Sequence, residues 1–244
     1  MKTLIRNEFS KLKRDRTPWF PLILALLPVV TGTAACIIGG KGNAEEMIFF
    51  VNNQFVMFFP MAVFILAGSL VCREWRDGTC LVWMSYGIAK SRIILAKMFV
   101  GVALTTAIAA AEFGALGLLC AFLPHGLATW VAFAPGFALE ALSIIVVGTC
   151  ASTLVASLSR STVAVSALGI AYGFVSCLFI GTAWGCLMPG CFAYRIAMAC
   201  LDPSTYYDAP MEATVAGAAA SAIWCAALFL AAMLVFQRQR GVEE

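Results

Sequence analysis

Charge is scarce in this sequence and histidine nearly absent. Only 12% of the 244 residues are Asp, Glu, Lys or Arg, against about 25% in an ordinary soluble domain. A soluble chain of this make-up would have to bury nearly every helix on all sides. The one histidine, His125, rules out a metalloprotease helix, which needs two His and a Glu at fixed spacing. No two of the ten cysteines are spaced as CxxC, so no zinc or redox motif is present. The stretch GGKGN at 39–43 lacks the GK[ST] ending of a Walker A phosphate cradle. Serines are plentiful, but no apolar stretch carries a His or Lys placed to act as their base. There is no tandem repeat at solenoid spacing. These absences argue against an enzyme and against a cofactor held by this chain. Only Glu112 and Glu140 remain as groups on which intramembrane catalysis could be built.

What the sequence has instead is apolar length. Hydrophobic residues make up 62% of it. Charge-free runs cover Thr17–Gly40, Met47–Cys72, Met98–Ala111 and, past Glu112, on to Leu139, then Ala141–Ser159, Ser161–Tyr194 and Ala213–Gln237. Runs this long mark a polytopic, all-α membrane protein with lipid around it. The third run is too long for one crossing and breaks at the turn signal Pro124-His125-Gly126. Six spans are expected near 19–39, 49–71, 99–122, 133–157, 163–186 and 214–236, in a single transmembrane domain over 1–244 with a short tail at 237–244. Small-residue patterns, GTCAS at 148–152 and AAAS at 218–221, suit close helix packing.

Lys and Arg set the orientation. Of sixteen, all but Lys41 and Arg195 fall on the side of the N-terminus. By the positive-inside rule both termini and the loop at 72–98 face the cytoplasm. The N-terminal apolar run continues past signal-peptide length, so no cleaved leader is expected. Within 1–18, Ile5, Phe9 and Leu12 recur at i, i+4, i+7 among basic residues. That pattern fits a helix lying in the membrane interface. A plain basic anchor is the alternative.

The stretch 72–97, CREWRDGTCLVWMSYGIAKSRIILAK, has charged ends and a charge-free middle. Twelve uncharged residues are too few to cross a bilayer. On a helix, Cys80, Leu81 and Met84 fall on one side, and Val82, Trp83 and Tyr86 roughly opposite. A helix apolar all round requires burial all round. Two covers fit: a cytoplasmic partner protein, or an interfacial re-entry anchored by Trp83 and Tyr86.

The pattern E-x3-G-T, a short apolar helix, a basic pair and a Lys opening the next span resembles the permeases of the ABC type-2 exporter family. Here it is carried by Glu74, Gly78, Thr79, Lys90, Arg92 and Lys97. Where that family often has Pro before the basic pair, this chain has Gly87, which leaves the turn looser. The N-terminal MKTLIRNEFSKLKRDRTPWF looks like the family's interfacial elbow helix. The resemblance implies that 72–98 holds a coupling helix, with Glu74, Gly78, Thr79, Leu81, Val82, Trp83, Met84 and Tyr86 docking a separate ABC ATPase, in two copies. ATP and magnesium would be bound by that partner. A second permease subunit would complete a homodimer or heterodimer. Length and opening most resemble the small permeases of lantibiotic immunity. That implies a bacterial plasma-membrane exporter of amphipathic peptide antibiotics or hydrophobic drugs, with no nucleic-acid role.

Three features call for explanation beyond the motif. Glu112 and Glu140 lie inside spans, where a charge costs roughly 2.5–3.5 kcal/mol on insertion scales. Each either faces a cleft, to meet a cationic substrate or a proton, or is a structural acid satisfied by neighbours. Asn52 and Asn53, in VNNQF, either line an entrance to that cleft or face headgroups. In the last outer segment, Phe192, Ile196 and Cys200 recur at i, i+4, i+8, which suits a short helix ended by Asp202-Pro203. Cys191 and Cys200 stand in the same segment as a candidate pair. A secondary transporter using the two Glu for protons, and a scaffold or sensor subunit without transport, remain as alternative functions.

Overall fold

The computed structural model describes residues 1–12, 15, 17–39, 42–79 and 88–238. These are all helix and short connections. A short α1 (Lys2–Leu12) precedes α2 (Trp19–Gly39), α3 (Ala44–Arg76), α4 (Lys90–Cys120), α5 (Gly126–Ser159) and α6 (Thr162–Phe179). Then come a 3-10 turn (Ala183–Leu187), α7 (Pro189–Ala199), a second 3-10 turn (Pro203–Thr205) and α8 (Pro210–Arg238). Six of these helices, α2 to α6 and α8, are long and apolar enough to cross a membrane. The protein is therefore an all-α, multi-pass membrane protein.

Charge and turn chemistry set the boundaries. Asn43 caps α3, its side chain accepting from the Glu45 amide at 3.1 Å, and Ser161 caps α6 in the same way through the Ala164 amide. The break at Pro124-His125-Gly126 is a turn closed by His125 in the left-handed region, φ 54°. The segment expected to span 163–186 stops being α-helical at Phe179. A turn through Gly181 and the 3-10 turn follow. Eighteen residues still give about 27 Å, close to the hydrocarbon thickness of about 30 Å.

α3 is the axis of the bundle. It packs on α2, α4, α5 and α6 and is buried along most of its length. The main core forms where Phe55 and Phe59 of α3 meet Phe133 and Phe137 of α5, with Ile108 and Leu116 from α4. By contrast α2, α6 and α8 keep large apolar side chains exposed, including Ile23, Ile38, Leu178, Ile223 and Leu234. Such faces suit lipid or a second membrane subunit.

Close helix approach depends on missing side chains. A Cβ on Gly173 would lie 2.3 Å from the Met57 carbonyl oxygen, where α6 crosses α3. At Gly148, in the GTCAS stretch, it would lie 2.9 Å from Val63. Gly173→Ala is expected to lower the melting temperature of the purified protein by several degrees, since backbone must move. Overpacking costs about 1–3 kcal/mol, more than the roughly 1 kcal/mol that Ala gains over Gly in a helix. An unchanged or raised melting temperature would show that this crossing accommodates a side chain.

The segment ending at Asp202 does contain the expected helix, α7. Cys191 and Cys200 are both free thiols. They lie nine residues apart along one helical stretch, about 13 Å of rise, beyond the reach of a disulfide. Cys191 instead bonds the Ser176 carbonyl at 3.1 Å, and Cys200 the Ile196 carbonyl at 3.6 Å.

Candidate functional site

At the end of the bundle that carries α1, three carboxylates meet three cations. α1 turns Glu8 inward, while Phe9 on the apolar stripe stays partly exposed. Glu8 is buried because Lys97 comes to it. Lys97 Nζ, with only 2% of its side chain exposed, donates to Glu8 Oε2 at 2.9 Å, to Glu74 Oε1 at 3.0 Å and to the Leu70 carbonyl at 3.0 Å. Lys11 Nζ donates to Glu8 Oε1 at 3.0 Å and to Glu74 Oε1 at 2.6 Å. Arg73 reaches Asp15 Oδ2 at 2.7 Å and lies 3.7 Å from Glu8. Asp15 also holds the chain entering α2, accepting from the Thr17 amide at 2.9 Å.

Glu74 is the hub. It sits two residues past the charge-free run that ends at Cys72, and the Thr79 hydroxyl donates to its second oxygen. Between them α3 ends at Asp77, and Gly78 reverses the chain at φ 65°, a conformation that suits glycine. Burial alone would raise the Glu74 carboxyl, but Lys97, Lys11 and Thr79 outweigh it and hold it near 2. The same carboxylates raise Lys11 above its usual value despite its burial. Burial also works against the charged form of Asp15, but Thr17 and Arg73 hold its carboxyl below the usual range. For Glu74 the sign is that of a depressed acid. Its contribution to stability is present above its ordinary value of 4.5 and is lost as pH falls toward 2.

An aromatic contact closes the same end. Trp75 meets Phe236 of α8 edge-on at 6.3 Å, and the Arg160 guanidinium lies 4.3 Å over the Trp75 ring. One helix end, residues 73–79, is thereby tied to α1, to α4, to the α5–α6 corner and to α8. Of the residues expected to couple to a partner, Glu74, Gly78 and Thr79 stand in this network. Leu81, Val82, Trp83, Met84 and Tyr86 lie outside the described residues.

The second group of site residues lies deep in the bundle. Glu140 (0% exposed) accepts from Asn52 Nδ2 at 2.9 Å, joining α5 to α3. Glu112 of α4 is 1% exposed, and neither of its oxygens has a hydrogen-bond partner among the described residues. Glu140 Oε1 and Asn52 Oδ1 are also unpartnered. The three amides of VNNQF each address a different helix. Asn52 meets Glu140, Asn53 accepts from the Tyr194 hydroxyl of α7, and Gln54 accepts from Thr31 of α2 at 2.7 Å. Within this chain Asn52, Glu112 and Glu140 are enclosed by side chains, while Asn53 is exposed.

Sequence reading missed the network as a unit. Lys97 was read as the opening of a span, yet it lies within α4, where an unpaired ammonium would be costly. Glu8 and Asp15, the only acids in a basic segment, were the matching signal.

A profile for the family described as ABC-2 family transporter protein matches residues 4–176. No curated protein matches the chain. The match takes in α1, the Glu74 network, Glu112 and Glu140.

Proposed function

This chain belongs to the ABC-2 family of transporter proteins and is a membrane permease, and we propose that it is the membrane-spanning subunit of an ATP-driven exporter in a bacterial plasma membrane. Subunits of this family generally work with an ATPase partner. Two copies of that ATPase would sit beneath a homodimer or heterodimer of permeases, on the side of the termini, which carries fourteen of the sixteen Lys and Arg.

The observation that carries the reading is the tie from Thr79 through Glu74 to Lys11, Lys97 and Glu8. A push on the segment that follows Thr79 reaches the elbow helix α1 and the start of α4 through short, charge-assisted bonds. A membrane anchor with no moving partner has no use for so many bonds converging on one loop root. ATP binding would draw the two ATPases together, carry the 72–98 segments with them and switch the cleft between permeases. The cargo class proposed is an amphipathic peptide antibiotic of the lantibiotic type or a hydrophobic drug. Extraction in mild detergent with a tag on this chain tests the reading: an ABC ATPase is expected to co-purify in a one-to-one ratio. Recovery of the chain free of any ATPase would count against it.

The buried acids favour a second element of the same reading. Among the described residues, Glu112, Glu140 and Asn52 leave four oxygens unpartnered in the bundle interior, a cost that calls for a function. They would receive a cationic group of the cargo when the cleft opens. Glu112→Gln is expected to keep expression and basal ATP hydrolysis and to weaken transport of cationic cargo by about tenfold more than neutral cargo, the factor that 1.4 kcal/mol supplies. Glu112→Leu should still fold, because it strands no hydrogen-bond partner. Equal loss on both cargoes, or a Leu variant that fails to fold, would assign Glu112 a structural role. If a proton gradient instead drives transport without ATP, these residues belong to a secondary transporter.

A further inference from the structure

The 3-10 turn Ala183–Leu187 stands between two cavities at the end of the bundle away from the ion network. One, of about 730 Å³, is polar, with Arg195, Tyr206, Tyr207, Asp208 and Glu212 in its wall. The other, of about 770 Å³, is an apolar groove lined by Phe64, Tyr172, Val175, Trp224 and Leu228 among others. The turn gives Ala183 and Cys186 to the first and Trp184 and Leu187 to the second. Each is of a size that holds a small organic ligand. The groove runs along α8 from Ala220 to Leu228, about 12 Å of rise.

We propose that the two cavities together hold one phospholipid with an amine-bearing zwitterionic head: its phosphate on Arg195, its ammonium on Asp208 and Glu212, and one acyl chain in the groove.

The polar chamber is built to orient its groups. Arg195 Nε donates to the Ile180 carbonyl at 2.8 Å, and the guanidinium lies 4.2 Å over the Tyr207 ring. Its plane is thus held in place, which favours a phosphate oxygen pair over a diffuse counter-ion. Tyr207 is 7% exposed, so the ring beneath the guanidinium is a fixed backing for it. One cation and two acids wall the chamber, and both acids are exposed. A purely anionic head would meet net repulsion, whereas a zwitterion places each of its charges opposite its complement.

The groove supplies the other half. It opens on α6 and α8, the helices with large exposed apolar faces, at the depth of their spans. Trp184 (76% exposed), just past the end of α6, suits a membrane-interface aromatic, and Trp224 (50%) lines the groove within the α8 span. The order along this path, charged chamber then aromatic then aliphatic wall, is the order of a lipid molecule from head to tail. An apolar helix of a second copy, its own backbone bonds satisfied internally, would fill the groove but leave Arg195, Asp208 and Glu212 of the chamber unmatched. The site depends on neither the identity of the cargo nor the ATPase.

Native mass spectrometry of the intact chain, exchanged against vesicles of phosphatidylethanolamine or phosphatidylglycerol, tests the site. One phosphatidylethanolamine per chain should be retained, at least roughly tenfold better than phosphatidylglycerol, a 1.4 kcal/mol preference. Asp208→Asn with Glu212→Gln, both on the surface, should bring that preference down to about one. Ala220→Trp, which fills the groove, should lower retention of both lipids by about tenfold or more. Should Ala220→Trp fail to fold, the surface pair decides alone. Equal retention of the two lipids by the parent chain, or an unchanged preference in the surface pair, would overturn the proposal. So would competition by soluble phosphoethanolamine as strong as by the lipid, because the groove would then contribute nothing.

Discussion

Replacing Lys97 with Met is expected to remove most of the folded protein, and adding Glu74→Gln to the same chain to restore a substantial part of it. Lys97 Nζ touches two carboxylates and a backbone carbonyl with 2% of its side chain exposed. Without it, Glu8, Glu74 and Asp15 face only Lys11 and Arg73 among the described residues, and one buried negative charge there is uncompensated. Breaking a buried pair by removing one partner costs about 3–5 kcal/mol, a large share of a typical stability of about 5–15 kcal/mol. Glu74→Gln in the Lys97→Met background returns the cluster to neutrality and keeps an acceptor for Lys11 and Thr79. The two changes should therefore be strongly non-additive in a double-mutant cycle read by thermal unfolding. Additive losses would mean that Lys97 and Glu74 do not share one electrostatic unit. The recovered double variant should still transport poorly, since the hub that ties Thr79 to α4 has been cut.

Replacing Trp83 and Met84 together with Asp should detach the ATPase while leaving the chain inserted. Both residues lie in the charge-free middle of the 72–97 stretch, between Asp77 and Lys90. A docking face centred on a Trp loses most of its affinity when the anchor is removed, by about 2 kcal/mol or more, and two buried charges add desolvation cost. ATPase recovery in a pull-down should fall by well over tenfold. Membrane content and the melting temperature of the chain should barely change, because the described Glu74 network holds the bundle end through Glu8, Lys11, Arg73, Thr79 and Lys97. Full recovery of the ATPase would remove the docking role from this segment and leave Trp83 as an interfacial anchor.

The six crossings were legible because apolar runs and charged boundaries are both local signals. The observed helices extend past the expected spans mainly where polar turns such as REWR and KSRIILAK prolong them beyond the hydrocarbon. α7 was legible from the spacing of Phe192, Ile196 and Cys200, and the turn at His125 from its Pro and Gly neighbours. The early end of α6 was not. Apolar residues continue to Tyr194, and only Gly181 and Gly185 mark the change of path.

The ion network was illegible for a different reason. Glu8 and Lys97 are 89 residues apart, and Lys11 and Glu74 are 63 apart. Their meeting depends on how α1 lies across the start of α4, which no periodicity encodes. Charge counting groups Lys97 with the N-terminal segment but could not name its partners. The buried acids were half legible. Hydropathy marked Glu112 and Glu140 as costly, but the bond from Asn52 to Glu140 depends on the rotation of α3 against α5. The lipid-shaped pair of cavities had no sequence signal beyond isolated Trp and Tyr residues.

The most direct test is the energy source for transport. The chain, purified with the ATPase that it retains and sealed in vesicles, should move an amphipathic cationic peptide only when ATP and magnesium reach the ATPase side. A proton gradient alone should drive nothing. Transport by the isolated chain under a proton gradient, with no ATPase present, would contradict the reading of 72–98 as the coupling segment and of Glu74 as its root.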